Sequence, residues 1–456
     1  MTESPRATVV IVNYNGARLL PSCLAGLRRQ DCPPGSFDIV VVDNASADGS
    51  LDLLARDHPD VRVIASPTNT GFAGGNNLAL RAVSTPFVAL LNTDAVPEPG
   101  WLRNLLAPFG AAGGERIAAV TGKVVFLPRF LRLHWRTPGF SPGPHDRREL
   151  GARIHRVEVD GVDVTENVLW ERLTYGPEGS GAGRFRWSRP SGDLLVPVPG
   201  AESSTLPEPA KITFVVAAER DKPLEIAGDG MAVAGTVGAG RGELVLAVPE
   251  GTPLVDVVNN VGGIVLRAGY GADRGFQEVD AGQYEQPVEV FAACGNGMAM
   301  RTAAGREAGW FDDDFFLYYE DTDLSWRLRA LGWSIWYEPR AVLRHLHSAS
   351  SMEWSPLWTF HVDRNRLLML TKDASTRLAL RAVLRYPLTS ASMLLRAARA
   401  GLRSGDRPAI RPHLLRGRVM LSYLRLLGPM LRRRRELSRS AVVGRAELES
   451  WLVAER

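Results

Sequence analysis

ATVVIVNYNGARLLPSCLAGLRRQDCPPGSFDIVVVDNAS, residues 7–46, decides the fold. Two β-branched runs of strand length, ATVVIVNY and FDIVVVDNAS, flank a segment in which Leu19, Leu20, Leu24 and Leu27 recur at helical spacing. Working outward, LDLLARDH reads as a short helix, VRVIAS as a third strand, GGNNLALRAV as another helix and PFVALLNTDA as a fourth strand. Strands that are apolar on both faces and alternate with helices predict a mostly parallel sheet flanked by helices. Ligands of such sheets bind at the carboxyl ends of the strands. The polar residues fall there: Asn13 and Asn15, Asp43 and Asn44, Asn92 and Asp94.

The chain has 456 residues, enough for two or three domains, and its 45% hydrophobic and 23% charged content is that of an ordered globular protein. Three cysteines, Cys23, Cys32 and Cys294, have no paired spacing, which argues against a disulfide framework or a zinc site and suits a reducing compartment. The polar start at residues 1–6 lacks the pattern of a signal peptide, and no window of about 18 apolar residues predicts a membrane span. The expectation is a cytoplasmic protein.

The texture changes near Phe126. From there to about residue 287 the chain is rich in Gly and Pro and holds short alternating runs such as KITFVVAAE and GELVLAVP, which predict an inserted β-rich module. After Val288 the α/β pattern returns, with EVFAACGNGMAMR as a strand and FFLYYEDTDLSWRLRALGW as a helix that begins near its acidic cluster and stops at Gly332. The expected organisation is a discontinuous nucleotide-binding domain over 1–125 and 288–372, a β-rich insert over 126–287, and a C-terminal basic helical segment over 373–456. From Thr376 onward there are 18 Arg, no Lys and 5 acidic residues, so this segment carries +13 in a chain whose total is +4.

Five motifs carry candidate chemistry. In LLNTDA, Asn92, Thr93 and Asp94 end an apolar strand, and a carboxylate there can hold a hard divalent cation against the phosphates of a nucleotide; an ordinary strand-end turn is the plain alternative. In VVDNAS, Asp43 can accept hydrogen bonds from a nucleobase or ribose, or Asp43, Asn44 or Ser46 can cap the next helix. TNTGFAGGNN, residues 68–77, sets Gly71, Gly74 and Asn76 before a helix, where backbone amides can face phosphates; it is neither a Walker loop nor a dinucleotide fingerprint. In YYEDTDLSWR, Glu320 and Asp321 follow an aromatic run that would desolvate a carboxylate and make it a better proton acceptor, whereas Asp323 reads as a structural partner of Arg327 one turn on. In RHLHSASS, His345 or His347 can complete a metal site with Asp94, though a lone His is more often structural.

Taken in order, VIVNYNG (10–16), VVDNASADGS (41–50), NTGFAGGNN (69–77), LLNTDA (90–95), CGNGMAMR (294–301), FFLYYEDTDLSWRLRALGW (315–333) and HLHSASS (345–351) resemble the inverting family 2 glycosyltransferases of the GT-A fold, most closely their rhamnosyltransferase and galactofuranosyltransferase branches. The resemblance covers under half of the chain. It implies an α/β fold with a GT-A nucleotide-sugar-binding domain. It implies that Asn13, Asp43, Asn44, Gly71, Gly74, Asn76, Asn92, Thr93 and Gly297 bind the nucleotide sugar. It implies that Asp94 and His345 hold Mn2+ or Mg2+, and that Asp321 is the catalytic base with Glu320 beside it. Asn92 stands where the family's Asp-x-Asp has its first Asp, which puts the metal mainly on Asp94. The implied donor is a nucleotide diphosphate sugar, dTDP-rhamnose or a UDP-sugar. The implied acceptor is a hydroxyl of a cell-envelope or lipid-linked glycan.

The Arg-rich tail lies outside the resemblance. Arg377, Arg381 and Arg385 fall at i, i+4 and i+8 among Leu and Met, a pattern that suits either an anionic membrane surface, inside the plasma membrane, or a helical hairpin packed on the catalytic domain. It lacks the aromatics and motifs of a nucleic-acid binder. Two other functions were weighed. A nucleotidyltransferase would want a basic signature at the first strand, and VIVNYNG has none. A non-catalytic glycan-binding protein that works through the insert would not need Asp94, Asp321 and His345 together.

Overall fold

The computed structural model describes residues 6–144, 146–170, 173–346, 355–404 and 411–455, and of these the side chains of 182, 400–404 and 411 are left undescribed. The chain divides into two compact units, one of residues 1–125, 259–276 and 282–456, the other of 126–258 and 277–281.

In the first unit, β1 (Ala7–Asn13), β2 (Phe37–Asp43), β3 (Arg62–Ala65) and β4 (Phe87–Asn92) run parallel in the order β3-β2-β1-β4. Val9, Val10, Ile11, Val41 and Ala89 are fully buried, which is why these strands read as unbroken apolar runs. Beyond β4 the sheet turns antiparallel: Gly297–Arg301 pairs with β4, then with β6 (Ile117–Phe126), and Ser334–His345 follows. A short β5 (Ala95–Pro97) pairs with the end of that last strand. The helices α1 (Leu20–Arg28), α2 (Ser50–Asp57) and α3 (Gly71–Leu80) connect β1 to β4. Helix α1 buries Leu20, Cys23, Leu24 and Leu27, an i, i+3, i+4, i+7 stripe, and each fully buried Leu contributes about 1.5–3 kcal/mol. The expected mixed α/β architecture is borne out.

Two sequence readings need correction. EVFAACGNGMAMR is not one strand: Val288–Glu289 and Gly297–Arg301 are strands, and a turn closed by Gly297 N to Cys294 O (3.3 Å) separates them. A third reading needs none: the helix in FFLYYEDTDLSWRLRALGW begins at its acidic cluster as expected, as α6 (Glu320–Ala330), behind a stretch in which Phe316, Tyr318 and Tyr319 take positive φ of 64°, 69° and 70°. The first unit also resumes at Asn259, earlier than the loop-rich texture suggests. There Gly263–Val265 pairs with Gly271–Asp273, and Gly263 exchanges backbone hydrogen bonds with Ala292.

Helices α4 (Trp101–Leu106) and α5 (Thr302–Ala308) pack beside the sheet, and α7 (Pro356–Asp373), α8 (Thr376–Ser404) and α9 (Arg411–Ser440) complete the unit. Leu378, Ala382 and Tyr386 of α8 and Val419, Tyr423, Met430 and Leu437 of α9 share one core with Leu367–Leu370 of α7 and Trp326 of α6. The basic tail is therefore packed into the first unit along one face. Its other face exposes Leu380, Leu384, Leu388, Leu395, Leu414, Leu421 and Leu424. No helix among the described residues is long and apolar enough to cross a membrane.

The second unit is an antiparallel β-sandwich. One sheet contains Arg153–Val159, Ala210–Ala217 and Gly242–Val248, the other Ser191–Pro197, Phe130–Arg136 and Lys222–Gly228. Trp135 of one sheet meets Phe214 of the other edge-to-face at 6.3 Å.

Candidate active site

Register brings the strand-end residues together. Asn13 lies opposite Asp43, and Asn92 lies opposite Val12, so the three motif ends occupy adjacent positions on one sheet edge. Asn13 Nδ2 donates to Asp43 Oδ1 (3.1 Å) and Ser46 Oγ (3.1 Å), while Asp43 Oδ2 accepts from Ser46 N (3.0 Å). Both Asn13 and Asp43 are buried, and Asn13 Oδ1 makes no hydrogen bond.

The glycine-rich segment is built against this edge, and it does not precede the helix: Gly71 opens α3, and Gly74 and Asn76 lie inside it. Asn44 Nδ2 donates to Gly71 O (2.9 Å), and Asn44 Oδ1 accepts from Thr70 N (2.9 Å), so Asn44 ties the start of α3 to the end of β2. Gly71 has φ of +73°, and a Cβ there would fall 2.3 Å from Phe316 O. At Gly74 it would meet Thr70 Cβ at 2.8 Å, and at Gly297 it would meet Leu343 Cδ2 at 2.3 Å. Close packing thus accounts for all three glycines. Asn76 Nδ2 donates one turn back to Phe72 O (2.9 Å) inside α3.

Antiparallel pairing of His345 with Ala95 sets the imidazole beside Asp94, and Leu346 N donates to Asp94 O (2.9 Å). Asp94 Oδ1 lies 3.2 Å from His345 Nε2, both side chains are at most 10% exposed, and Asp94 Oδ1 makes no hydrogen bond. His345 Nδ1 faces Asn259 Oδ1 at 3.3 Å and Asn296 Nδ2 at 3.4 Å: one tautomer donates from Nδ1 to Asn259 and turns an Nε2 lone pair to Asp94, the other accepts from Asn296 and turns its Nε2–H to Asp94. An unpartnered buried carboxylate oxygen converging with an imidazole nitrogen is a donor pair suited to Mn2+ or Mg2+. Cys23 lies behind this pair; burial, then the charge of Asp94, pushes its thiol well up, so it stays neutral. Thr93 and Asn92 are half-buried at the same edge. His347 lies outside the described residues.

The turn at Cys294–Gly297 links the remaining groups. Asn92 N donates to Asn296 O (3.2 Å), Asn296 Nδ2 lies 3.4 Å from His345 Nδ1, and Gly295 N donates to Asp321 Oδ2 (3.0 Å). Asp321 Oδ1 accepts from Thr322 N (2.6 Å) and Thr322 Oγ1 (3.2 Å). Burial raises the Asp321 carboxyl above the ordinary aspartate range, and the bonds from Gly295 and Thr322 pull it part of the way back. Glu320 is pushed further: burial first and the neighbouring Asp321 charge second hold it well above its ordinary value, and its Oε2 makes no hydrogen bond. Asp323 is structural, as its spacing indicated, accepting from Arg327 Nε (2.9 Å) and Nη2 (2.8 Å) with Lys372 Nζ at 2.5 Å.

Three asparagines were missed. Asn259 and Asn296 flank the His345 ring, and Asn365 of α7 clamps the loop before Glu320. Asn365 Nδ2 donates to the carbonyls of Phe315 (2.8 Å), Leu317 (2.8 Å) and Tyr318 (2.7 Å), the stretch that carries the positive φ values. The GNG of residues 295–297 was a usable signal for Asn296; nothing local marks Asn365.

The edge is thus a polar, acid-lined site at the carboxyl ends of parallel strands, where open α/β sheets bind their ligands. Residues 8–150 match the family model described as Glycosyl transferase family 2, so the chain carries a glycosyltransferase family 2 domain in this region. The pre-mycofactocin glycosyltransferase of Mycobacterium tuberculosis is 38% identical over 124 residues, 26% of this chain and 24% of that protein. The succinoglycan biosynthesis protein ExoO of Rhizobium meliloti is 33% identical over 131 residues, 28% of this chain and 37% of that protein. The chain spans only about a quarter to a third of the length of these curated relatives. GalNAc-T7, solved with UDP, GalNAc and Mn2+, aligns over 82% of this chain and 48% of its own at 11% identity and a TM-score of 0.44, a level of likeness that carries no argument.

Proposed function

We propose that this protein is an inverting, metal-dependent glycosyltransferase that moves a sugar from a nucleotide diphosphate sugar, of the dTDP-rhamnose or UDP-sugar type, to a hydroxyl of a cell-envelope or lipid-linked glycan. The observation that carries this reading is the Cys294–Gly297 turn, which bonds at once to Asn92, His345 and Asp321 and so joins the strand-end motif to the acidic pair.

Asp94 and His345 would hold the divalent cation, which supplies positive charge to neutralise the departing diphosphate. Asp43, fixed by Asn13 and Ser46, faces the nucleoside, and Asn92 and Thr93 border the diphosphate. Asp321 accepts the proton of the acceptor hydroxyl. As that proton leaves, the acceptor oxygen bonds to the anomeric carbon from the face opposite the diphosphate, the carbon–oxygen bond to phosphate breaks, and the nucleoside diphosphate departs with the electron pair. Of the two acids Asp321 is the better base. It is half-buried and reachable, and its proton affinity is raised less than that of Glu320, which burial and the Asp321 charge push well above its ordinary value.

The exposed leucines and arginines of α8 and α9 support peripheral docking on an anionic membrane surface.

Thermal-shift screening against nucleotide diphosphate sugars with and without Mn2+ tests the donor assignment, because a ligand specific for the folded state raises Tm by mass action. A Mn2+-dependent shift with one donor is expected; no shift with any of UDP-, dTDP- and GDP-sugars overturns the reading.

A further inference from the structure

Two adjoining cavities lie among the C-terminal helices, away from the strand-end site. The first, about 720 Å³, is lined by five arginines, Arg267, Arg366, Arg381, Arg385 and Arg416, against one carboxylate, Glu455. The second, about 460 Å³, lies between α8 and α9 and is almost wholly apolar, walled by Pro387, Leu394, Met420, Leu421 and Leu424. Tyr386 and Arg416 line both.

The arginine cavity is built by the surrounding structure. Arg366 is buried, its plane stacks 4.0 Å over the Tyr270 ring, its Nη1 donates to Ala268 O (3.0 Å), and its Nε makes no hydrogen bond. Arg416 is fixed over the Tyr386 ring at 4.2 Å, with Nε donating to Ser390 Oγ (2.7 Å) and Nη1 beside Asp363 Oδ2 (3.3 Å). Arg381 and Arg385, one turn apart on α8, are exposed along the rim. Guanidinium groups converging on a cavity with one opposing carboxylate suit a phosphate or diphosphate, which Arg binds bidentately. A neutral apolar trough opening from the same wall suits a long hydrocarbon chain. The exposed Leu384 and Leu388 of α8 border this face, and Leu421 and Leu424 of the trough are themselves half exposed, so a chain seated there is continuous with a membrane surface.

We infer that these cavities form the binding site of a lipid whose long apolar chain carries a phosphate or diphosphate head, with the head on Arg366, Arg381, Arg385 and Arg416 and the chain in the α8–α9 trough. The inference rests on the glycosyltransferase reading for its purpose: the loop that walls the arginine cavity reaches the acid pair, because Gly271 N, next to Tyr270, donates to the hydroxyl of Tyr319 (3.1 Å), the residue before Glu320. A lipid phosphate held there would present its attached glycan towards Asp321.

The test is calorimetric titration of the full chain in EDTA, which removes metal-dependent donor binding, with geranylgeranyl diphosphate, inorganic pyrophosphate and geranylgeraniol. The lipid diphosphate should bind at least about tenfold more tightly than either fragment, since each buried methylene adds about 0.8 kcal/mol and the diphosphate adds its ion pairs. Arg381→Ala/Arg385→Ala, at exposed positions, should weaken the lipid diphosphate and pyrophosphate together by about tenfold or more. Leu421→Asp should weaken only the lipid diphosphate. Equal lipid binding by the wild type and both variants, or a lipid diphosphate that binds no better than pyrophosphate, overturns the site. Binding of UDP, GDP and dTDP with Mn2+, measured on the same samples, separates the two readings. Nucleotide binding without lipid binding removes this site alone, and lipid binding without nucleotide binding removes the catalytic reading on which its purpose rests.

Discussion

Asp94 Oδ1 and His345 Nε2 stand 3.2 Å apart although 251 positions separate them in sequence, because β5 pairs with the end of the strand Ser334–His345. The buried Asp94 oxygen makes no hydrogen bond, and the far side of the imidazole is engaged by Asn259 and Asn296. Under the proposed function this pair would hold the cation, with Asn259 and Asn296 orienting the imidazole from its remote nitrogen.

Asp321→Asn keeps the size and shape of the side chain but removes the proton acceptor, and its one amide oxygen can accept from Gly295 N or from Thr322 N, not both. It should lower kcat by about 10²-fold or more with nucleotide affinity unchanged, measured by steady-state turnover and calorimetry. In the wild type, the raised Asp321 carboxyl predicts an acid limb of kcat/KM with its midpoint above the ordinary aspartate value of about 3.9. Unchanged kcat in the variant would move the base to Glu320.

Glu320→Gln tests the neutral acid beside that base. The Glu320 proton is held more tightly in the folded chain than in the unfolded one, where the ordinary value is about 4.3. The stability this proton lends is full below that value and lost as pH rises through the raised folded value. The variant should therefore gain stability relative to wild type between pH 5 and pH 8 in urea unfolding. A difference independent of pH would mean that Glu320 is ionised in the folded chain.

Lys372→Met should cost about 3–5 kcal/mol of unfolding free energy, because Lys372 Nζ sits 2.6 Å from Asp312 Oδ2 and 2.5 Å from Asp323 Oδ1, all but buried. Denaturant titration measures it, and a loss below about 1 kcal/mol would show the carboxylates to be satisfied without it.

Asn365→Leu removes three hydrogen bonds to a loop held at positive φ, at a cost of about 1–3 kcal/mol. If this clamp sets the acid pair, kcat should fall by about tenfold while nucleotide affinity holds. Equal losses in kcat and nucleotide affinity would mean that the loop shapes the donor site as well.

The parallel half of the sheet was legible because β1, β2 and β4 are buried on both faces, so that almost every residue from Val9 to Ile11 or Val40 to Val42 has to be apolar. The strand-end residues were legible for the same reason, since polarity stands out at the close of such runs. Asn259, Asn296 and Asn365 were not, because a polar residue in a turn or on a helix looks solvent-facing until tertiary packing turns it inward. The backbone just before α6 was equally hidden: aromatic residues give no local sign of positive φ, and Asn365 holds that stretch by its carbonyls. In the tail, the charge pattern left a membrane surface and a packed hairpin equally open, and Arg433 and Arg434 bind Asp312 and the carbonyls of Thr371 and Ala374.

The most direct test of metal-dependent donor binding is calorimetry of UDP, dTDP and GDP with the wild type, Asp94→Ala and His345→Ala, each in Mn2+ and in EDTA. Tight binding of at least one nucleotide by the wild type in Mn2+, weakened by about tenfold or more in EDTA and in both variants, is the predicted result. A nucleoside diphosphate that binds equally well in Mn2+, in EDTA and to Asp94→Ala would contradict the account.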